Sequence, residues 1–178
     1  NEYANEPTFD GESTVTAAAL IVQSGTIFNY TSSVAQNPKL NDYLENNGTI
    51  NQTGGGWIYL AGEGSTNTIS NNGAAIMTSL NFEVGGDITA GTDISVGNLL
   101  VSGGTFDMND NTLTTYDGAN VTAGSLELGS GSWNVTGGDV SIISSGAIDA
   151  SAATVTLNGS TEQTVATNGN EILHLAID

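Results

Sequence analysis

Cysteine and arginine are absent from this chain of 178 residues, and Lys39 is the only lysine. The lack of cysteine excludes disulfide bonds and thiolate metal sites. Nineteen carboxylates against one lysine give a formal charge of −18. So few cations cannot replace the counterions of a phosphate backbone, which excludes nucleic acid as a partner. Binding to anionic membrane surfaces is excluded on the same ground.

The sequence is also poor in proline, in charged residues and in long apolar segments. It has two prolines, its charged fraction is 11%, and no apolar run approaches the roughly 20 residues needed to cross a bilayer. We therefore expect no membrane insertion. Instead there are 24 glycines and many Ser, Thr and Asn residues, which are poor helix formers and suit strands and turns.

The chain begins at Asn1 and carries no apolar signal segment. We interpret it as a processed, exported protein with an extracellular or cell-surface location, although an excised fragment would look the same. Solubility, divalent-cation binding and a solvated face all remain open as reasons for the acidity.

A short phrase recurs in the second half, as Val84-Gly-Gly-Asp-Ile, Val101-Ser-Gly-Gly-Thr and Val135-Thr-Gly-Gly-Asp. The interval from the first copy to the second is half the interval from the second to the third. A second match, Ile88-Thr-Ala-Gly with Val121-Thr-Ala-Gly, is offset by nearly the longer interval. We predict a β-solenoid with a period of about 17 residues, in which each turn buries its apolar side on its neighbours.

The predicted domain organisation is a single solenoid over residues 17–178, clearest over residues 80–178, preceded by an acidic arm at residues 1–16 that can be donated as a strand. Fourteen short strands fill the part from Leu80 onward, among them Asp93–Val96, Leu99–Ser102, Leu113–Tyr116 and Asn120–Ala123. Residues 38–46 are predicted to be one short helix, with Asn37 as N-cap, Pro38 in the first turn, and Leu40 and Leu44 on one face. A jelly-roll β-sandwich is the alternative fold.

Two segments resemble the repeats of large bacterial and archaeal surface proteins. They are Ala153-Thr-Val-Thr-Leu-Asn-Gly-Ser-Thr-Glu-Gln-Thr-Val and Ile172-Leu-His-Leu-Ala-Ile. The likeness covers about residues 80–178. It implies a right-handed parallel β-helix of the adhesin or autotransporter-passenger kind, and it carries over no catalytic residues.

A calcium site is the first chemical candidate. Asp107, Asn109 and Asn111 match the opening of a calcium-binding loop, but Thr112 stands where the loop needs glycine, and Gly118 where it needs a carboxylate. An Asx turn between strands explains the same residues. A neighbouring turn can complete a site with one of four aspartates: Asp87, Asp93, Asp117 or Asp139.

We expect no enzymatic activity. A lyase of this fold would use Arg or Lys, a hydrolase needs two carboxylates at a set separation, and His174 is the only histidine and lies on an apolar strand. Four aromatic residues can stack on sugars if exposed in a row, but core packing is the commoner use of such residues: Trp57, Tyr59, Phe106 and Trp133.

Six Asn-x-Ser/Thr sequons predict glycosylation sites, if the source glycosylates exported proteins: Asn29, Asn47, Asn51, Asn120, Asn134 and Asn158. The final strand is apolar, with Ile172, Leu173, Leu175 and Ile177, and we predict it to be an assembly surface. The leading functional hypothesis is a structural protein that polymerises with copies of itself into a filament, sheath or surface layer, with Ca²⁺ between subunits. The alternative is an adhesin segment that binds a surface glycan or host surface.

Overall fold

The computed structural model describes residues 8–10, 16–32, 38–72 and 77–178, and within these ranges the regular secondary structure is entirely β. No helix of the length and apolarity that would span a membrane occurs among the described residues. The strands are β1 Thr8–Asp10, β2 Thr16–Val22, β3 Ile27–Ser32, β4 Lys39–Asn46, β5 Thr49–Gly54, β6 Ile58–Leu60, β7 Thr68–Asn71, β8 Asn81–Val84, β9 Ile88–Ala90, β10 Ile94–Val101, β11 Thr105–Asp107, β12 Leu113–Val121, β13 Ser125–Glu127, β14 Ser132–Val135, β15 Val140–Ile142, β16 Ala147–Asp149, β17 Thr154–Leu157, β18 Val165–Ala166 and β19 Leu175–Ile177.

All strand pairs are parallel, and they form a β-solenoid of about seven turns. Each turn visits three stacks of strands. The first stack runs through β4, β6, β8, β10, β12, β15 and β18, and the second through β4, β7, β9, β11, β13 and β16. The third runs through β10, β12, β14, β17 and β19. The predicted parallel solenoid is confirmed, and the strands do not form the alternative, a jelly roll.

Among the described strands, the predicted period of about 17 residues holds for β8 with β10 and nearly for β9 with β11, but not for most other pairs. Asn98 pairs with Asn81 at the predicted separation, whereas the partners Leu113 and Trp133 lie further apart in the chain. Val140 and Val165 are more widely separated still. The turns differ in length because the corners take loops of different sizes, and the pairings of β10 with β12 and of β2 with β4 each also contain a register shift. A fixed period was therefore wrong, although the repeat correctly indicated a solenoid.

The repeated phrase of valine followed by a glycine pair marks two different corners, which explains its misleading offsets. After the first stack, Gly104 lies directly on the backbone of Gly86 and has a φ of 59°, so a side chain there would be strained and would collide with the turn below. The copy after Val135 follows the third stack, where Gly138 lies on Asp117. The phrase thus occurs at contacts between corners of two different kinds, not once per turn.

The helix predicted for residues 38–46 is wrong, because β4 occupies Lys39–Asn46. Leu40 and Leu44 are both buried. A separation of four residues places two side chains on one face of a helix and equally on one face of a strand, whose period is two. The parallel pairing of β4 with β2, β6 and β7 shows that this segment is a strand. The proposed N-cap, Asn37, lies outside the described residues.

Inward side chains of successive turns form continuous apolar columns. Leu113, Trp133 and Val155 stack in register and are fully buried, and the Trp133 indole N–H donates to the Thr115 hydroxyl at 3.2 Å. Phe82 and Phe106 have ring centroids 6.3 Å apart. Trp133 and Phe106 are therefore core residues, while Trp57 and Tyr59 are half-buried.

Part of the predicted N-terminal arm is described. Thr8–Asp10 forms β1, which pairs with β3, and β3 pairs with β5 in a separate three-stranded parallel sheet. Residues 1–7 and 11–15 of the arm lie outside the described residues, so donation of this arm to another molecule stays a prediction.

Candidate functional site: the last turn and the polar corners

The last described turn leaves interior positions of the solenoid exposed. Leu175 is in register with Val155, and Ile177 with Leu157, and both of these partners are buried. Leu175 is nevertheless 48% exposed and Ile177 81% exposed. Among the described residues, no further turn covers these two core columns on their open side.

The backbone of this turn is paired on one side only within the described residues. β19 pairs with β17, and β18 with β15, and neither strand has a second neighbour there. An edge of this kind presents a row of N–H and C=O groups to another strand. We call the edge formed by β18 and β19, with the apolar side chains of Leu173, Leu175 and Ile177, the terminal edge.

The structure separates the four predicted assembly residues into two groups. Leu173 is 59% exposed and belongs to the terminal edge with Leu175 and Ile177, whereas Ile172 is partly buried, packs on the core and bridges to Ala150. His174, between Leu173 and Leu175 in the chain, is exposed, and its backbone carbonyl accepts a hydrogen bond from the Val155 N–H.

The residues of the predicted calcium loop form a hydrogen-bonded turn after β11. The Asp107 carboxylate accepts the Asn109 N–H at 2.7 Å, as in an Asx turn. The Asn111 amide donates to the Met108 and Ala90 carbonyls and so ties this turn to the previous one. Among the described residues, no three His, Cys, Asp or Glu side chains are grouped so that they would hold a metal ion. Calcium binding stays a prediction.

Three of the four aspartates considered as extra calcium ligands cap the next turn instead. Asp87 accepts the Thr105 N–H, Asp93 the Thr112 N–H and Asp139 the Thr164 N–H, at 2.7–2.9 Å. Asp117 is exposed beside Gly138 at a corner. In each cap the carboxylate belongs to the earlier turn and the amide to the later one.

Two further aspartates that were not considered as site residues make the same cross-turn cap. Asp42 accepts from the N–H groups of Thr66 and Asn67, and Asp110 accepts from both the N–H and the hydroxyl of Ser130. The Ser130 backbone hydrogen bond, with its hydroxyl next, lowers the pKa of Asp110 below its usual value. Charge-assisted bonds of this type are stronger than neutral ones, so part of the acidity holds turns together.

Asparagine side chains form a second set of contacts between turns. Asn46 is fully buried and donates to Asn71 at 2.8 Å, and Asn98 donates to Asn81 at 2.8 Å. Amide side chains carry both donors and acceptors, so each can link to the next along a stack. The signal for these ladders in the sequence is weak, because asparagine is equally common in the turns.

The six sequons differ in how their asparagines are used. Asn120 and Asn158 are exposed, and Asn134 is half-buried on β14. Asn47 donates to Glu45 and accepts from Asn72, and it lines a cleft of about 450 Å³ with Gly48 and Thr49. Asn51 donates to Asn29 at 3.3 Å. Glycosylation of all six stays a prediction.

Comparison with known proteins adds no relatives. No family model matches the chain, and no curated protein or solved structure matches it. Of the predicted resemblance to surface-protein repeats, the β-solenoid architecture alone is confirmed.

Proposed function

We propose that the chain is an exported, non-enzymatic structural protein whose molecules join end to end through the terminal edge into a filament, sheath or surface layer. The observation that carries the proposal is the exposure of Leu175 and Ile177 at positions that are interior in every earlier turn of their columns. Covering a side chain of this size stabilises by about 1.5–3 kcal/mol.

The backbone of the terminal edge supports the same proposal. A strand added in parallel to β19 would continue the ladder that runs through β12, β14 and β17. Main-chain hydrogen bonds of this kind give affinity without depending on sequence, and alternate side chains supply the specificity. A turn of another copy would fit, because it presents the same parallel register.

Calcium belongs to the proposal as a link between neighbouring molecules. Asp107, Glu127 and Asp149 occupy one register position on successive strands of the second stack, about 4.8 Å apart from strand to strand. Like charges that face each other across strands are destabilising. A divalent cation shared with carboxylates of a second molecule would relieve this repulsion.

The proposal is tested by negative-stain electron microscopy of the purified chain, first with millimolar calcium and then with chelator. We expect regular filaments or sheets that thin or dissociate in chelator. The double variant Leu175→Asp/Ile177→Asp is expected to remain as single particles, because it places two charges in the joint. The matched control Ile143→Asp changes a residue that is 44% exposed on the side of the solenoid, and it is expected to assemble normally.

Single particles of the wild-type chain under both conditions would contradict self-assembly. That result would favour the adhesin alternative, in which the terminal edge is covered by the next turn of a longer surface β-helix. Assembly that persists in chelator would support joining at the terminal edge and contradict a link through calcium.

A further inference from the structure

Four Asn-Gly pairs occur in the sequence, and each is open to a reaction that the fold either permits or blocks. In such a pair the backbone nitrogen of the glycine attacks the side-chain carbonyl carbon of the asparagine, because glycine has no Cβ to hinder the approach. The pairs are Asn47-Gly48, Asn72-Gly73, Asn158-Gly159 and Asn168-Gly169. Gly73 lies outside the described residues, so three pairs are compared.

The pair Asn47-Gly48 is held at both reacting groups. Gly48 is buried, and its N–H donates to the side-chain oxygen of Asn46 at 3.1 Å. The Asn47 side-chain amide donates to Glu45 at 2.8 Å and accepts from Asn72 at 3.0 Å. Several hydrogen bonds therefore have to break before the Gly48 nitrogen reaches the Asn47 carbonyl carbon.

The pair Asn158-Gly159 has an exposed asparagine but a fixed main chain. The Gly159 N–H, which would be the attacking group, donates to the side-chain oxygen of Gln163 at 2.8 Å. On the other side of the asparagine, the Asn158 N–H donates to the Val135 carbonyl at 3.0 Å. The main chain is thus held on both sides of the Asn158 side chain.

The pair Asn168-Gly169 forms the centre of a β-turn in the last described turn of the solenoid. The Asn170 N–H donates to the Thr167 carbonyl at 2.9 Å, and the φ angles of Asn168 and Gly169 are 49° and 85°, as Asn-Gly adopts in a type I′ turn. Both residues are exposed, and a Cβ added at Gly169 would meet no atom within 4 Å. Within the described part of the chain, the Gly169 N–H donates no hydrogen bond.

We propose that, of the three described pairs, Asn168-Gly169 is the one that deamidates in the folded chain. The Gly169 nitrogen loses its proton to solvent and bonds to the side-chain carbonyl carbon of Asn168. The side-chain nitrogen leaves as ammonia, and a cyclic succinimide forms. Water then opens the ring at either of its two carbonyl groups, which gives aspartate or isoaspartate. Water is the only co-reactant.

The products change how the last turn is held to the turn before it. The Asn168 side-chain amide donates to the Ser144 carbonyl at 3.2 Å, whereas an ionised carboxylate has no hydrogen to donate. Isoaspartate also adds a methylene group to the main chain, in the short connection between β18 and Ile172. Deamidation therefore adds a negative charge and loosens the turn that carries the terminal edge.

The test is incubation of unglycosylated chain, produced in bacteria, in mildly alkaline buffer below its unfolding temperature. A glutamate-specific protease then places Asn168 in the peptide 163–171 and Asn158 in the peptide 128–162. Tandem mass spectrometry measures conversion at each asparagine. Asn168 is expected to convert roughly three- to ten-fold faster than Asn158, since one hydrogen bond that must first break slows attack by about that factor. Asn47 is expected to be slower still.

Two variants test the physical reason. Gln163→Ala removes the acceptor of the Gly159 N–H and is expected to raise conversion at Asn158 several-fold, with the rate at Asn168 unchanged. Its matched control is Thr161→Ala, a change at an exposed neighbouring residue that is expected to leave both rates as they are. Gly169→Ala places a Cβ beside the attacking nitrogen and is expected to slow conversion at Asn168 several-fold.

The unfolded chain provides the decisive reference. In guanidinium chloride Asn47, Asn158 and Asn168 are expected to convert at similar rates, because each is followed by glycine. A preference for Asn168 that persists there would assign it to the sequence and overturn a role of the fold. Equal rates in the folded chain, or faster conversion at Asn158 or Asn47, would overturn the proposal directly. Circular dichroism of each variant identifies a folding defect, and none of these results depends on joining at the terminal edge.

Discussion

The middle turns and the last described turn of this solenoid contribute to the same columns of side chains, but these side chains differ in how far they are buried. In the middle, Leu113, Trp133 and Val155 are fully enclosed, because a turn lies above and below each of them. In the last turn, Leu175 continues that column and is half exposed. A residue of a solenoid is thus buried by its neighbours and not by its own turn, so the free energy of each turn depends on the next.

The largest expected difference between the two regions comes from truncating that column. Trp133→Ala is expected to destabilise the chain by about 3–5 kcal/mol, because it removes a fully buried ring and leaves a cavity. Leu175→Ala is expected to cost roughly 1 kcal/mol or less in the monomer, since its side chain is already half exposed. Urea unfolding followed by circular dichroism measures both. Equal losses would contradict burial by neighbouring turns.

Two glycines provide a second comparison between a middle turn and the last described turn. Gly104 in a middle turn and Gly169 in the last turn both have positive φ, 59° and 85°. An alanine in this conformation costs of order 1–3 kcal/mol at either site. Only at Gly104 does the added Cβ also meet the backbone of the turn below, which adds roughly 1–3 kcal/mol, while Gly169 has open space around it. Thermal unfolding is expected to show a clearly larger loss for Gly104→Ala than for Gly169→Ala.

The smallest expected difference concerns two aspartates with lowered pKa values. The pKa of Asp110 is lowered by hydrogen bonds from Ser130 in the next turn, and that of Asp149 by hydrogen bonds from Ser151, its near neighbour in the chain. Asp110→Ala is expected to weaken contact between turns and to destabilise more than Asp149→Ala, whose contact is local. Urea unfolding of the two variants measures the difference.

The same pair has a pH dependence of known sign. A carboxyl group whose pKa is lower in the folded state stabilises the fold at pH values above its ordinary pKa of about 3.9. That contribution is lost as the pH falls through the lower folded value. The difference between wild type and Asp110→Ala is therefore expected to shrink on acidification from pH 7 to pH 3 in urea titrations. A difference that stays constant would mean that the Asp110 charge is not involved.

The sequence predicted the solenoid because glycine corners and alternating strands repeat, and it placed most strands after residue 80 correctly. In place of β10 it predicted two separate strands, and in place of β12 two more, because Gly97 and Gly118 are typical of turns. Both strands instead continue through these glycines. The helix at residues 38–46 failed because a spacing of four suits helix and strand alike. Only pairing with neighbouring strands distinguishes a strand from a helix in such a segment.

The candidate surfaces were less predictable than the fold. The apolar character of residues 172–177 indicated the terminal edge, but only the register shows that Leu175 and Ile177 are interior positions and that Ile172 is not part of the exposed set. Which outward Ser, Thr and Asn side chains lie beside one another on the third stack depends on the unequal lengths of the turns that connect β10, β12, β14 and β17. These lengths are set by the corners and are not visible as a period.

The cross-turn aspartate caps all point the same way along the chain. Each carboxylate lies in an earlier turn than the amide it accepts from, which follows 18 to 25 residues later: Asp42, Asp87, Asp93, Asp110 and Asp139. A chain made from its N-terminus therefore always has an acceptor in place before the donor is synthesised. In these caps an earlier turn provides the acceptor for a later one, so synthesis from the N-terminus produces the turns in the order in which the caps can form.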